Sequence, residues 1–475
     1  MQKVFEEVNS LDKRCYEDFA LSEDILMEHA ANSIALHIKE KFEVGSSVLV
    51  VSGSGNNGAD GITIARILHK DYDVKLYLAS EPKTKIGKDQ LKRANAVGVC
   101  MTKEVEQCDV VVDCLFGSGL NKPLSIEMTS LIEKLNKTNS YKIACDIPSG
   151  INNIGQVNSI AFEAHITFTM GALKCSLFSD EAKEYVGDIK VCDLGISRKL
   201  YETNSNMFLL QTSDMNLPFR NKQNTHKGTF GHLNVIVGEK EGAAKLTAEA
   251  GFVFGVGLVT LVNHEKHIVK DFLMQSHFVS ENCTALAIGM GLGKFNDKEI
   301  KEILAKKIPK VIDADLFYSQ LILEVLEDSD VSIKNAEVVL TPHPKEFVSL
   351  LSLCKIANIS VEELQKNRFK YVKEFCKKYP KIVLLLKGAN VLIGQNDKMY
   401  INTFGSSVLA KGGSGDVLSG LIASLLAQGY SGLEACITGS LAHAKSLVSS
   451  TYAKTSSKNS YAFTPYDLIE GVKSL

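Results

Sequence analysis

The 475-residue sequence lacks an excess of charge of either sign, because its 53 basic side chains are balanced by 55 acidic ones and leave a formal charge of −2. Such a surface provides no general field for holding a nucleic-acid backbone or an anionic membrane. We therefore expect neither as a partner. Any site for phosphate groups must be local.

The sequence also lacks the features of secreted and membrane proteins. None of its 11 cysteines forms a C-x-x-C pair, and Cys145 and Cys192 lie inside apolar, strand-like runs. The first residues include acids and form no apolar h-region, so we expect no secretory signal. The longest apolar stretches, 251–262 and 417–427, are too short to span a bilayer. These absences favour reduced core cysteines and a cytoplasmic location.

What the sequence does contain is a regular alternation of strand-like and helix-like runs. From Ser46 onward, the β-branched runs VLVVSG, VKLYLA and VVVDCLFG are separated by amphipathic ones such as ITIARILHK. Strands that are nearly all apolar and are separated by helices belong to a parallel sheet covered on both faces. This pattern predicts a doubly wound α/β fold for the first domain.

The alternation stops between Thr203 and Thr229, where polar residues replace the periodic apolar ones. A second alternation then runs from HLNVIVGE to IVLLLKG and closes with three helix candidates from Asp416 onward. The two halves do not repeat each other at any fixed period. We therefore predict two fused doubly wound α/β domains, residues 1–212 and 213–475.

The turn GSGNNGADG, residues 53–61, lies between a predicted strand and a predicted helix. Glycines there let backbone N–H groups approach a phosphate, although a bare turn of this kind is as often only a tight connection. Asn56, Asn57 and Asp60 add amides and a carboxylate that a purely structural turn does not require. They point to a binding loop.

Two further strand ends carry oxygen-rich turns, with Asp113 in VVVDCLFGSG and with Asp146 and Ser149 in ACDIPSG. Such turns gather at the carboxyl edge of a parallel sheet, where ligands bind. There Asn57, Asp113 and Ser149 could surround a monovalent cation with oxygens. The alternative is that Asp113 and Asp146 merely cap helices and turns.

These residues resemble the YjeF N-terminal family of NAD(P)H-hydrate epimerases, whose pattern includes ILMEHA at 25–30, NNGAD at 56–60, the Asp113 turn and the DIPSG turn. The resemblance implies a Rossmann-like domain that interconverts the R and S forms of hydrated NADH and NADPH. It also implies a potassium ion held by Asn57, Asp113 and Ser149. His29 and Ala59 depart from the family pattern, which usually has Asn and Gly there.

The same resemblance implies a set of residues that contact the hydrate. They are Asn56, Asn57, Gly58, Ala59, Asp60, Gly117, Ser118, Gly119, Leu120, Asn121, Lys122, Pro123 and Asp146. Epimerisation at C6 of the hydrate expels and recaptures water beside a ring nitrogen, and a single carboxylate, Asp146, could move the proton. Because related folds also serve as scaffolds, a non-catalytic binding or dimerising domain is the alternative.

Near the C-terminus, LAKGGSGDVLSG places Gly412, Gly413 and Gly415 before Asp416, at the start of a long apolar helix. Backbone N–H groups at that helix end can bind a nucleotide phosphate, and Asp416 would lie beside the transferring oxygen as a base. The alternative reading of Asp416 is an N-terminal helix cap. The sequence has no G-x-x-x-x-G-K-[ST] motif, so it is not a P-loop protein.

Three further strand ends bring polar residues to the same predicted edge. TPHPKEF contributes His343 and Glu346, KVIDAD contributes Asp313 and Asp315, and LLKGANVLI contributes Lys387. The alternatives are a turn histidine fixed by its neighbours, acidic turn caps and a solvated lysine.

Together these segments resemble the ribokinase-like fold, and more narrowly its NAD(P)H-hydrate dehydratase branch, since GMGLG, DAD, TPHPKE, LKGAN and GGSGD occur in the family's order. The resemblance implies hydrate contacts from Ala243, Gly291, His343 and Asp416. It implies contacts with the adenine nucleotide from Lys387, Gly388, Ala389, Asn390, Val391 and Gly415. Mg²⁺ and ADP as co-substrate are also implied. DADLFY at 313–318 departs from the frequent DADALN.

The two resemblances predict a bifunctional metabolite-repair enzyme. It would epimerise hydrated NADH and NADPH and dehydrate the S form at the expense of ADP, giving AMP and phosphate. Its partners would be these small molecules, and we also expect a homo-oligomer. The rival interpretation is a ribokinase-like small-molecule kinase fused to a non-catalytic domain, but such a kinase has no need of a fused epimerase.

Overall fold

The computed structural model describes residues 1–157, 159–327, 337–449 and 460–475. They form two compact units, one of Lys3–Ser205 and one of Asn206–Leu475 together with Met1–Gln2. No helix in these ranges combines the length and the apolar character needed to cross a bilayer.

The strands and helices below are numbered in chain order. The strands are β1 Gln2–Phe5, β2 Ser47–Ser52, β3 Asp73–Leu78, β4 Cys100–Thr102, β5 Val110–Cys114, β6 Tyr141–Cys145, β7 Ile166–Met170, β8 Leu173–Lys174, β9 Asp188–Cys192, β10 Met207–Leu209, β11 His232–Ile236, β12 Leu258–Val262, β13 Met274–Ser276, β14 Ala285–Ile288, β15 Lys310–Ile312, β16 Val338–Leu340, β17 Val383–Leu386, β18 Val391–Gln395 and β19 Lys398–Asn402. The helices are α1 Asn9–Asp18, α2 Glu23–Lys41, α3 Asn56–Leu68, α4 Lys85–Ala96, α5 Ile126–Asn136, α6 Lys183–Val186, α7 Arg198–Tyr201, α8 Glu241–Val253, α9 Asp297–Leu304, α10 Leu321–Glu327, α11 Pro344–Leu353, α12 Val361–Lys366, α13 Arg368–Lys378, α14 Ser414–Ala427, α15 Gly432–Ser449 and α16 Pro465–Val472.

The first unit contains a parallel sheet of seven strands in the order β4-β3-β2-β5-β6-β7-β9. From β2 the chain moves outward through β3 and β4, then returns to the other side of β2 at β5. The carboxyl ends of β2 and β5 therefore flank the switch point at which ligands bind in open α/β sheets. The predicted doubly wound fold is confirmed for this unit.

Both faces of this sheet are covered, as the nearly all-apolar strands predict. In β2, Val50 packs in a core cluster with Ile34 of α2 and Ile62 of α3. The next residue, Val51, packs on the opposite face with Leu131 of α5. Successive side chains of a strand point to opposite faces, so a run such as VLVV can fill both layers.

The second unit places its strands in the order β13-β12-β11-β14-β15-β16-β17-β18-β19-β10. Neighbours from β13 to β17 are parallel. The strands β17, β18 and β19 are antiparallel, and β10 pairs in parallel with β19. The α/β class is confirmed, but this edge is not purely parallel. Strand β10 also lies in the stretch that the sequence analysis left without periodic structure.

Helix α14 is almost entirely buried, and it begins at Ser414, within the GGSGD segment. It packs closely on α8, since a Cβ on Gly420 would overlap the carbonyl oxygen of Thr247. The three helices predicted from Asp416 onward correspond to α14, α15 and α16. This packing fixes the first turn of α14 relative to the strand ends of the unit.

Candidate active sites

In the first unit, Asp113 at the end of β5 is fully buried and is held by Ser149 of the DIPSG turn. Its Oδ1 accepts the Ser149 hydroxyl at 2.7 Å, and its Oδ2 accepts the Ser149 backbone N–H at 2.8 Å. Leu115 N–H also donates to Oδ1, at 3.1 Å. Burial raises the pKa of Asp113 to about 6, although these donors oppose the shift.

The side chain of Asn57 lies beside the same strand ends. Its amide oxygen and nitrogen are buried and have no hydrogen-bond partner among the described residues. A Cβ placed on Gly117 would lie 3.4 Å from Asn57 Cβ, so the NNGAD segment in the first turn of α3 and the turn that follows Asp113 are in contact. The unpartnered amide oxygen of Asn57, the carboxylate of Asp113 and the hydroxyl of Ser149 are the kind of oxygen ligands that a hard cation prefers.

Asp146, at the end of β6, is buried and has a left-handed backbone with φ of 70°. Its Oδ2 accepts the Ser118 N–H at 3.0 Å. Its Oδ1 accepts the Lys174 ammonium at 2.6 Å and the Met170 N–H at 3.4 Å. A non-glycine residue rarely adopts this backbone, and its presence indicates that the surroundings fix the carboxylate.

The pKa values of two buried carboxyl groups in this unit are shifted in opposite directions. Burial alone would raise the pKa of Asp146, but the charge and hydrogen bond of Lys174 hold that pKa below its ordinary value. Burial raises the pKa of Asp60 well above its ordinary value, and the negative charge of Asp146 adds to this shift. The sequence analysis did not identify Lys174, because a lysine after an apolar run is typically solvated.

The remaining residues that were predicted to contact the hydrate differ in their burial and in their contacts. Gly117 lies against Asp146, since a Cβ there would be 2.8 Å from Oδ2. Asn56 is exposed and donates to Glu23 Oε1 at 2.6 Å. Ala59 is buried against Met27 and Ile86, so its methyl group fills a small apolar cluster. The other predicted members are Gly58 and Leu120, which are buried, and Gly119, Asn121, Lys122 and Pro123, which are exposed.

In the second unit, Asp416 lies in the first turn of α14 and is not its cap. The cap position is Gly413, which has φ of 92°. The capping interpretation of Asp416 is therefore wrong, and its side chain accepts no hydrogen bond from the described residues. Burial raises the pKa of Asp416 to about 6, and the negative charge of Asp313 adds to the shift while Lys387 opposes it.

Lys387 joins Asp313 to the first turn of α14. Its ammonium lies 2.8 and 2.9 Å from the two carboxylate oxygens of Asp313. A Cβ on Gly415 would be 3.3 Å from that ammonium. Asp313 also accepts the Ser419 hydroxyl at 2.7 Å, a contact with α14 that the sequence analysis missed. Lys387 is thus a fixed, half-buried cation and not a solvated lysine.

His343 is the N-cap of α11, where its Nδ1 accepts the Glu346 N–H at 3.2 Å. Its Nε2 lies 3.1 Å from Glu346 Oε1. Burial and the charge of Lys387 lower the pKa of His343. Burial and the charge of Asp313 raise the pKa of Glu346 to about 7. The turn-histidine interpretation is confirmed, and it leaves part of the ring exposed near Lys387.

The loop 387–390 is held in place by hydrogen bonds from Arg368, a residue that the sequence analysis did not identify. The buried guanidinium donates to the carbonyl oxygens of Leu386, Lys387 and Asn390 at 3.3, 3.0 and 2.9 Å. A Cβ on Gly388 would overlap this guanidinium. The arrangement holds Gly388, Ala389 and Asn390 ahead of Val391, the first residue of β18.

The other two predicted hydrate contacts lie together. A Cβ on Gly291 would be 3.1 Å from Ala243 Cβ. The Thr247 hydroxyl, one turn after Ala243 on α8, lies 3.1 Å from the Ala243 carbonyl and 3.0 Å from the Asp416 carbonyl. Thr247 thereby connects this pair to the start of α14.

Comparison with known proteins gives matches in both units. A family described as NAD(P)H-hydrate dehydratase matches residues 233–470, and one described as YjeF-related protein N-terminus matches residues 23–176. A Bacillus subtilis ADP/ATP-dependent NAD(P)H-hydrate dehydratase, crystallised with ATP and Mg²⁺, is 24% identical with a TM-score of 0.43, covering 54% of this chain and 92% of its own.

Two relatives resemble the chain over most of its length. A Helicobacter pylori protein named bifunctional NAD(P)H-hydrate repair enzyme Nnr is 42% identical over 486 residues, and the match covers 100% of both chains. A Coxiella burnetii protein of the same name is 31% identical, and the match covers 92% of both. The chain belongs to the family of bifunctional NAD(P)H-hydrate repair enzymes.

Proposed function

We propose that this chain restores hydrated NADH and NADPH in two steps, with epimerisation in the first unit and nucleotide-driven dehydration of the S form in the second. The observation that best supports this is the presence of one lysine–carboxylate pair at each strand edge, Lys174 with Asp146 and Lys387 with Asp313. We assign residues 1–212 to the epimerase and 213–475 to the dehydratase.

In the epimerase, the hydrate would bind over the NNGAD segment at the start of α3 and over the loop 117–123, with its C6 hydroxyl at Asp146. The ring nitrogen expels the hydroxyl as water when a proton is delivered, and water then adds to the opposite face of the ring. Asp146 Oδ2, held by the Ser118 N–H, faces Gly117 and is the proton carrier.

Asn57, Asp113 and Ser149 would hold the potassium ion. The unpartnered amide of Asn57 and the oxygen-only donor set fit such an ion. When bound, it would supply positive charge at the strand edge. The chain's own part is to keep Asp113 and Ser149 rigid through their two mutual hydrogen bonds.

In the dehydratase, Asp416 would take the proton of the C6 hydroxyl as that oxygen attacks the terminal phosphoryl group of the nucleotide. Expulsion of phosphate by the ring nitrogen then leaves the intact dihydropyridine. Lys387 and the N–H groups of the loop before α14 would hold the phosphates, with Val391 and the loop 387–390 along the nucleotide. Ala243, Gly291 and His343 would contact the hydrate.

ADP is the donor we propose, giving AMP and phosphate. Mg²⁺ would screen the phosphate charges, and the carboxylates of Asp313 and Asp416 provide the oxygen-rich surroundings that this ion prefers. We further propose a homo-oligomer in the cytoplasm, where 11 free cysteines would stay reduced.

The test is to incubate purified chain with mixed R and S hydrates and either ADP or ATP, and to follow recovery of absorbance by the reduced cofactor. We expect complete recovery with ADP and formation of AMP in equal amount. A stable phosphorylated product without recovery of the cofactor would instead support the small-molecule kinase.

A further inference from the structure

Lys174 is a buried lysine whose ammonium group has three hydrogen-bond acceptors. Its ammonium lies 2.6 Å from Asp146 Oδ1, 2.8 Å from Thr169 Oγ1 and 3.3 Å from the Met170 carbonyl oxygen. Only 2% of the residue is exposed. Among the described residues, the ammonium therefore has one ionic partner within hydrogen-bond distance, and that partner is the carboxylate that we assign to proton transfer.

The groups around this pair are mostly acidic. Asp12, Asp60, Cys192 and Tyr201 interact electrostatically with Lys174, Asp146 or both. Tyr201 donates its hydroxyl to Asp12 at 2.7 Å. Buried ion pairs add little to stability on average, and apolar replacements are often neutral. A buried lysine at this position is therefore better explained by chemistry than by packing.

Asp146 alone cannot supply the proton that this reaction requires. The hydroxyl leaves as water only if it receives a proton, yet the contact with Lys174 keeps the Asp146 carboxylate ionised and without a proton to give. The proton has to come from a neighbouring group. Lys174 is the neighbour that carries one and touches the carboxylate.

We propose that Lys174 is the proton reservoir of the epimerase site and acts through Asp146 as a positioning residue. This inference rests on the proposed role of Asp146. The starting state is an ammonium paired with a carboxylate, beside a neutral hydrate. As the C6–O bond breaks, Asp146 delivers a proton to the leaving hydroxyl and Lys174 replaces it.

The products of this step are water, a cationic ring with a carbon–nitrogen double bond, a neutral amine and a carboxylate. The charges balance, because the pair loses one positive charge as the ring gains one. Addition of water to the opposite face then forms the C6–O bond and returns one proton through Asp146 to Lys174. No oxidant or second substrate is needed.

The test compares Lys174→Met with Lys174→Arg in the full-length chain. Arginine keeps the positive charge next to Asp146 but does not release its proton. Lys142→Met is the matched control, because Lys142 is another buried lysine of the same unit and donates to the Thr138 carbonyl at 2.7 Å, away from Asp146. Dehydratase activity of each variant on S hydrate reports the amount of active chain, and thermal unfolding reports whether the first unit is folded.

At neutral pH we expect epimerase kcat to fall about 100-fold in both Lys174 variants, the lower range for loss of acid–base catalysis, with KM changed less than about threefold. Lys174→Met should regain activity as the pH falls, after subtraction of the uncatalysed rate, because Asp146 then takes its proton from solvent. Lys142→Met should match the unmodified chain.

Epimerase activity of Lys174→Arg within about threefold of the unmodified chain, with the same pH profile, would overturn the inference, because charge alone would then suffice. Full activity of Lys174→Met would overturn it as well. Asp146→Asn distinguishes the role of Asp146 from the role of Lys174. If the Asp146→Asn variant keeps its epimerase activity, the proposed function of Asp146 is wrong. If that variant is inactive while Lys174→Arg is active, only the proposed role of Lys174 as proton reservoir is wrong.

Discussion

Lys387 and Asp313 form a two-point ion pair, with the ammonium 2.8 Å from one carboxylate oxygen and 2.9 Å from the other. Asp313 is buried, and it also binds Ser419 on α14, the helix that carries Asp416. One carboxylate therefore fixes both the cation that would bind phosphate and the helix that would supply the base. This links the geometry of the phosphate site to the acidity of Asp416.

Asp313→Asn tests that link. Removing the negative charge of Asp313 lowers the pKa of Asp416, because that charge is one of the causes that raise it. A base works when ionised, so the acidic limb of the dehydratase pH profile should move to lower pH. We expect the KM for nucleotide to rise about tenfold as Lys387 loses its partner, which corresponds to about 1.4 kcal/mol. Ser419→Ala removes one hydrogen bond without a charge and should leave the limb in place. If the acidic limb of Asp313→Asn moves to higher pH, the proposed effect of Asp313 on the pKa of Asp416 is wrong.

Asp416→Asn should abolish dehydration while epimerisation continues, because only the second site needs a base at the hydroxyl. In the unmodified chain, dehydratase activity should reach its plateau about one pH unit above the pKa of this base, be near half of the plateau at about pH 6 and fall further below it, since burial raises that pKa to about 6. The measurement is kcat/KM against pH, with epimerisation followed in the same samples. Dehydratase activity of Asp416→Asn within severalfold of the unmodified chain would refute the assignment.

Arg368→Lys should weaken nucleotide binding more than hydrate binding. The guanidinium donates to three carbonyl groups of the segment 386–390, and a lysine cannot reproduce this planar arrangement. Carbonyl groups left without a donor destabilise the unit by about 1–3 kcal/mol. Separate KM values for nucleotide and S hydrate, together with thermal unfolding, check this. Equal changes in both KM values would indicate a general loss of structure.

Potassium should support the epimerase, and sodium or lithium should replace it poorly. Asn57, Asp113 and Ser149 offer oxygen ligands but no thiolate or imidazole, which favours a hard ion. Anomalous scattering from crystals soaked in rubidium should give a peak among these three side chains. An empty site, or zinc bound by other residues, would count against the assignment.

Much of the fold follows from the sequence because buried parallel strands are nearly all apolar. The runs at β2, β5, β6, β11 and β14 could be located for this reason. Strand β10 could not, since it has three residues within a polar stretch and pairs with β19, nearly 200 positions later. The antiparallel return from β17 to β18 could likewise not be located, because its strands lack alternation.

The candidate sites were predictable where a motif places a polar residue at a strand end, as for Asp113 and Asp146, or at the start of a helix, as for Asp416. They were not predictable where tertiary packing reverses a residue's usual behaviour. Lys174 and Arg368 are cations that average composition places at the surface, and here both are buried. Asn56, by contrast, belongs to the binding motif but donates to Glu23. Only the folded structure distinguishes these cases.

The two units should depend on each other only through free substrate, because they meet different stereochemical demands. A dehydratase that transfers a phosphoryl group must place the C6 hydroxyl in line with the donor, and the other epimer points its hydroxyl away. One epimer should therefore be refractory. With Asp146→Ala, under mildly alkaline conditions that keep uncatalysed epimerisation slow, nucleotide should rapidly restore only the S fraction of a mixed pool and leave a plateau.

Full-length Asp416→Asn should then release that plateau when it is added to the Asp146→Ala reaction. This variant cannot dehydrate, but its epimerase site is intact, and it supplies the missing step through solution. The two inactive sites thus complement each other without any chain carrying both activities. If Asp146→Ala instead consumes the whole pool at the unmodified rate, either the dehydratase accepts both epimers or Asp146 is not the acid–base group. If the plateau persists after the addition, the hydrate does not pass freely between molecules, and transfer within one chain is required.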